Sequence, residues 1–127
     1  MRDFIAVALG GMLGSVARHA ANVGLSRFAA SSSWPIATLT VNLVGCFGIG
    51  LLAAAAKRWQ WLDTPWELAV RVGVLGALTT FSSFGLEVAR LWQADRPFAA
   101  GMVVAANLIL GIGAVVLGEC SLRWLVR

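Results

Sequence analysis

Residues 34–58 read WPIATLTVNLVGCFGIGLLAAAAKR, and this stretch decides the fold. Residues 35–56 carry no charge, and Lys57 and Arg58 end the run. At about 1.5 Å per residue the uncharged run gives roughly 33 Å of helix, close to the hydrocarbon thickness of a bilayer. Ser31, Ser32 and Ser33 offer capping hydroxyls, Trp34 an interface anchor and Pro35 a suitable first helical residue.

Working outward, three more spans of this kind are found. Upstream, residues 4–17 are uncharged before Arg18 and His19, and the first span is expected over about 4–25. Asp3 offsets the leading Arg2, and apolar residues continue past Arg18, so this run reads as a span and not as a signal peptide. Downstream, Asp63, Thr64 and Pro65 form a helix start leading into Trp66. A third span over about 66–92 is irregular: Arg71 sits one turn in, and its centre reads GALTTFSSFG from Gly76 to Gly85. A fourth runs over about 97–118, ending before Glu119 and Arg123. Residues 1–127 are thus expected to form a single four-helix transmembrane domain, all-α and integral to the membrane.

Composition agrees. Of 127 residues 59% are hydrophobic and 13% charged, with a mean hydropathy of +0.81. A soluble domain carries about 25% charged residues and could not cover itself with so few. The six tryptophans, Trp34, Trp59, Trp61, Trp66, Trp92 and Trp124, all fall at or beside expected span ends, as an aromatic belt requires. The net charge of +4 comes from scattered basic residues beside apolar runs, without the basic–aromatic interleaving of a nucleic-acid surface. Cys46 and Cys120 lie in apolar stretches without ligand partners and are expected to be small buried residues.

Four spans put both termini on one face, with Arg2, Lys57, Arg58, Arg123 and Arg127. The other face holds Arg27, Arg90 and Arg96, with Arg18 near it. That bias is too weak to orient the chain. Either one orientation is fixed by other means, or the chain inserts both ways and pairs antiparallel.

No enzyme constellation is present. His19 is the one histidine, and Asp3, Asp63, Glu67, Glu87, Asp95 and Glu119 all lie near span ends, where solvated roles are expected. A proton relay needs a carboxylate within the membrane. The polar residues at membrane depth are neutral: Thr38 and Asn42 one turn apart, the Thr79–Ser83 cluster and Asn107. Such residues commonly join helices by hydrogen bonds, and they can equally line an ion path. Gly10 and Gly14 form a GxxxG pair, and Gly45, Gly48 and Gly50 line the second span, so spans one and two are expected to pack closely. Gly76 and Gly85 bracket the polar centre of the third span, which is expected to break mid-membrane. A broken helix frees carbonyls for a cation and amides for an anion. Phe81 and Phe84, at i and i+3, share one face; such a pair usually faces lipid or packs in the core, yet its electropositive ring edges can also face an anion.

The residues Gly10-Gly11-Met12-Leu13-Gly14-Ser15-Val16-Ala17-Arg18 resemble the GGxxGxxxR signature of the small dual-topology fluoride channels, the Fluc or CrcB family. Residues 38–50, TLTVNLVGCFGIG, resemble that family's second helix, and residues 76–84, GALTTFSSF, its third-helix break. The resemblance covers essentially the whole chain. It implies a multi-pass protein of the bacterial inner membrane that forms an antiparallel homodimer with two pores and exports fluoride passively. It implies that Asn42 donates to fluoride, that Phe81 and Phe84 line each pore, and that Thr80, Ser82 and Ser83 belong to the polar lining. It implies a central sodium ion on the carbonyls of Gly76 and Thr79 from both subunits. Arg18 would organise a vestibule or helix packing. The family's fourth helix often supplies a tyrosine and serines; this chain has no tyrosine, Val103 fills that position, and Asn107 stands where a serine donor would. A small multidrug-type four-helix exporter is the alternative, but it would need a carboxylate inside the first span. A third possibility is a structural subunit of a larger membrane complex.

Overall fold

A computed structural model describes residues 1–29, 34–62 and 64–126. Ser31 to Ser33 and Asp63, expected at helix starts, lie outside the described residues. Six α-helices and one π-helical segment follow in order: α1 (Arg2–Ala29), α2 (Ile36–Trp59), α3 (Pro65–Leu68), the π segment (Ala69–Leu75), α4 (Gly76–Leu78), α5 (Phe81–Gln93) and α6 (Pro97–Leu125). Four stretches are long and apolar enough to cross a membrane: Arg2–Leu25, Ile36–Trp59, Pro65–Gln93 and Pro97–Leu125. They match the four expected spans to within a few residues, except that the fourth runs on past Gly118. There Arg123 pairs with Glu119 one turn back, so two charges continue the helix where the sequence suggested an end.

Local chemistry sets the helix ends. Pro35 precedes α2 as its N-cap instead of opening it. Lys57 and Arg58 occupy the last turn, where cations meet the negative end of the helix dipole. Gln60 then closes the helix in the left-handed region at φ 56°, its N–H reaching the Ala56 carbonyl. The Thr64 side chain accepts from the Glu67 amide at 3.2 Å, and Pro65 occupies the first turn, as that start signal requires. Trp59 and Trp61 stack with centroids 5.2 Å apart beside this loop.

The packing pairs span one with span three and span two with span four. A methyl group built on Gly10 would meet the Ala69 carbonyl oxygen at 2.1 Å, and one on Gly14 the Val74 carbonyl oxygen at 2.2 Å. The GxxxG pair therefore lets α1 lie against the backbone of the π segment. Spans one and two do touch, but the close glycine approaches are made to the third and fourth spans: glycine spacing marks a face that approaches closely, not which helix it meets. On the other side a methyl on Gly50 would meet the Val115 oxygen at 2.1 Å, and one on Gly118 the Phe47 oxygen at 2.2 Å. These two glycines set the α2–α6 crossing.

The buried core is small: Val41, Ala54, Ala56, Phe84, Ala100 and Val103. Large apolar residues such as Phe4, Met12, Leu13, Ile109 and Leu117 are exposed on the outside, an arrangement suited to lipid as solvent. Cys46 is half-buried, but Cys120 is exposed, contrary to the expected burial. An apolar neighbourhood in sequence places a residue at membrane depth without choosing a protein-facing or lipid-facing side.

Candidate functional site

Helical geometry stops at two residues. Thr79 (φ −77°, ψ 153°) and Thr80 (φ −148°, ψ 116°) are extended between α4 and α5. In a continuous helix the Thr80 amide would donate to the Gly76 carbonyl. It donates instead to Asn42 Oδ1 at 2.9 Å. The Asn42 amide nitrogen donates to Asn107 Oδ1 at 3.0 Å and, more weakly, to the Thr80 carbonyl at 3.4 Å. One side chain on α2 thus replaces the missing helical partner and ties α6 to the same point. Asn107 in turn donates to the Val103 carbonyl one turn back at 3.0 Å.

The second half of the span restarts on its own cap. Thr80 Oγ1 accepts from the Ser83 amide at 3.2 Å and lies 3.2 and 3.1 Å from the Ser82 and Ser83 hydroxyls. Thr79 turns the other way, its hydroxyl donating to the Leu75 carbonyl at 3.0 Å. Its methyl fills the space left by Gly45, where a Cβ would lie 2.2 Å away. The Thr79 carbonyl accepts a long bond, 3.4 Å, from the Arg18 guanidinium on α1. Arg18 therefore reaches the extended dipeptide across the α1–α4 contact.

A groove of about 350 Å³ opens at this junction, lined by Asn42, Thr79, Thr80, Phe81, Phe84 and Asn107, among others. The Phe81 and Phe84 rings meet at 5.4 Å with planes tilted 59°, a geometry that sets ring edges at an angle to faces. Phe84 is 7% exposed and Phe81 80% exposed, so one ring builds the wall and the other stands out from the chain. Of the residues singled out in the sequence, Asn42, Phe81, Phe84, Thr80, Asn107, Gly76 and Thr79 meet at this groove. Ser82, Ser83 and Arg18 do not line it: the two serines contact the Thr80 hydroxyl, and Arg18 reaches the Thr79 carbonyl. Val103 is 2% exposed and belongs to the core.

Three features escaped the sequence reading. Glu67, expected to be solvated, is 3% exposed and paired with Arg71. Arg71 itself lines the groove. Glu87 accepts from the buried Thr38 hydroxyl at 2.5 Å, and its second oxygen has no partner among the described residues. The i, i+4 spacing of Glu67 and Arg71 was a signal for the first pair. The Thr38–Glu87 contact joins residues far apart in sequence and left none.

The comparisons with known proteins agree in kind. Residues 5–119 match the family model described as CrcB-like protein, Camphor Resistance (CrcB). A Rhodospirillum centenum protein named fluoride-specific ion channel FluC is 42% identical over 124 residues, 97% of this chain and 97% of its own length. Proteins of the same name from Saccharophagus degradans and Caulobacter vibrioides are 41% and 42% identical, covering 89% and 93% of this chain and 84% and 93% of their own.

Proposed function

The chain belongs to the CrcB family, and from that premise we propose that it is a fluoride channel, a passive path by which a bacterium loses fluoride across its inner membrane. The observation that carries this is the groove where Asn42, Thr80, Phe81 and Phe84 converge on an extended break in an otherwise helical span. Relatives covering nearly the whole chain carry the fluoride-channel name.

The chemistry suits the ion. Fluoride is small and strongly hydrated, so several donors must replace its water. Neutral donors and ring edges can bind it favourably yet weakly enough to release it, whereas a fixed positive charge in contact with it would hold it too tightly. The Asn42 amide is one donor. Its 3.4 Å bond to the Thr80 carbonyl is the weaker of its two, and an arriving fluoride would take that place. Phe84 would offer a ring edge from the wall, and Phe81 one from the exposed side. The Thr80, Ser82 and Ser83 hydroxyls, already clustered, would extend the polar lining.

The working unit is proposed to be an antiparallel homodimer with two pores. One chain leaves Phe81 standing out beside an open groove, which a second copy in opposite orientation would close. The break at Thr79 and Thr80 would then lie near mid-membrane at the two-fold axis. A sodium ion there fits the donors present: Gly76 has lost the Thr80 amide to Asn42, the Thr79 carbonyl lies outside the helical ladder with only a long 3.4 Å bond from Arg18 that an ion would displace, and carbonyl oxygens suit hard cations. Gly76 and Thr79 from both copies would hold it, and the ion would brace the two breaks against each other.

Purified protein in liposomes is expected to release fluoride and retain chloride, measured with ion-selective electrodes. Equal fluxes of the two would overturn the reading. Phe81→Ile should suppress fluoride release while the protein stays folded, because this exposed ring contributes little to the core of a single chain.

A further inference from the structure

The glycines that bring α2 and α6 together also shape what lies beyond them. The two backbones touch where Gly50 meets Val115 and Gly118 meets Phe47. Helices that cross at an angle diverge on either side of their closest point. One turn past it α2 presents only the small, buried Ala54, and a crevice of about 180 Å³ opens there, lined by Ala54, Arg58, Leu122, Arg123 and Val126. Arg58 lies in the last turn of α2 and Arg123 in the last turn of α6. Trp59 and Trp124 are exposed beside them, and tryptophans at span ends mark the headgroup level of a bilayer. Arg123 gives one nitrogen, Nη2, to Glu119, whereas a guanidinium carries five N–H donors. Arg58 is exposed and has neither an ion pair nor a side-chain hydrogen bond among the described residues. Lys57 beside it is exposed as well. Attraction to the helix C-terminal dipoles suits cations at these ends, but it satisfies none of these free donors. Among the described residues at this end of the α2–α6 pair, Lys57, Arg58 and Arg123 stand against the single carboxylate of Glu119.

We propose that this crevice is a binding site for the headgroup of an anionic phospholipid. The lipid phosphate takes the donors of Arg58 and the unused donors of Arg123, planar forks that match phosphate oxygens. Ala54, Leu122 and Val126 give an apolar wall to the glycerol and the first chain carbons. The bilayer is the source that supplies both halves, phosphate and hydrocarbon, at this depth. A free phosphate ion would use the arginines and leave the apolar wall uncovered. Basic pockets between membrane helices recognise headgroups in this way. A zwitterionic lipid brings a cation with its phosphate, which the local excess of positive charge opposes. Once bound, the lipid fills the wedge left by the Gly50–Gly118 approach and stabilises that end of the α2–α6 pair. The site shares no residue with the groove at Asn42, so it stands or falls independently of what passes through that groove.

Full-length protein in non-ionic detergent micelles is titrated with phosphatidylglycerol or phosphatidylcholine, and bound lipid is counted by native mass spectrometry. One saturable phosphatidylglycerol site per chain is expected, with weaker binding of phosphatidylcholine and no displacement of the bound lipid by inorganic phosphate. Arg58→Gln and Arg123→Gln should each weaken phosphatidylglycerol binding about fivefold, the loss expected for one cation near a membrane surface. Glu119→Gln should instead tighten it, because it removes the opposing carboxylate and frees Arg123 Nη2. That gain decides the matter if an arginine variant does not fold. Arg2→Gln, exposed on α1 and outside the crevice, should leave binding unchanged. Equal affinity for the two lipids would overturn the proposal, as would an unchanged Arg58→Gln titration or a weakening in Glu119→Gln. Displacement by inorganic phosphate would mark a site for free anions and overturn the lipid assignment. Equal losses in Arg2→Gln and Arg58→Gln would show diffuse surface charge in place of a built crevice.

Discussion

Replacing Asn42 with alanine should destabilise the protein more than any other single polar truncation at the groove. The change removes the acceptor of the Thr80 amide at 2.9 Å and the donor to Asn107 at 3.0 Å. The 3.4 Å contact to the Thr80 carbonyl adds little. Side-chain hydrogen bonds between membrane helices average about 0.6 kcal/mol and reach about 1.7. Two good bonds therefore give about 1–3 kcal/mol. Thr80 is 7% exposed, so its amide would be left without water or helix, which moves the value toward the upper end, about 2–3 kcal/mol. Asn107→Ala leaves the Thr80 amide satisfied and should cost about 1 kcal/mol. Thermal or denaturant unfolding of both variants and the double mutant in micelles would give the cycle. The expected coupling between positions 42 and 107 is about 0.6–1.7 kcal/mol. If Asn42→Ala loses no more stability than Asn107→Ala, Asn42 is not what holds the extended dipeptide, and the account of the break is wrong.

Gly118→Ala and Gly50→Ala should each destabilise by about 1–3 kcal/mol, because a Cβ would overlap the Phe47 or Val115 carbonyl. Gly113→Ala meets nothing within 4 Å and should be neutral or slightly stabilising in the same unfolding assay. Thr64→Ala removes the cap on the Glu67 amide and should cost about 1 kcal/mol, with faster amide exchange in the first turn of the third span. If the chain inserts both ways, Leu62→Cys, placed in a loop where Leu62 is exposed, should label to about half in sealed cells with an impermeant thiol reagent once Cys46 and Cys120 are replaced by alanine. Labelling near all or none would refute dual insertion.

The sequence by itself determined the four spans, since composition and span length are local properties that lipid reads directly. The uncharged run 35–56, the tryptophans at each end and the Thr64–Pro65 start all carried through to helices close to their expected places. It also marked the residues that meet at the groove, because neutral polar groups stand out against an apolar background. Tertiary structure alone decided which helix each glycine face meets, and it gave Gly10 and Gly14 to the third span. It decided that Asn42 replaces the Gly76 carbonyl as partner of the Thr80 amide, and that Glu67 is buried while Cys120 is not. The physical reason is common to all of these. Hydropathy fixes how deep a residue lies in the membrane, but direction around the helix depends on partners distant in sequence. A π segment that changes the stacking from i+4 to i+5 resets that direction in a way no 3.6-residue pattern records.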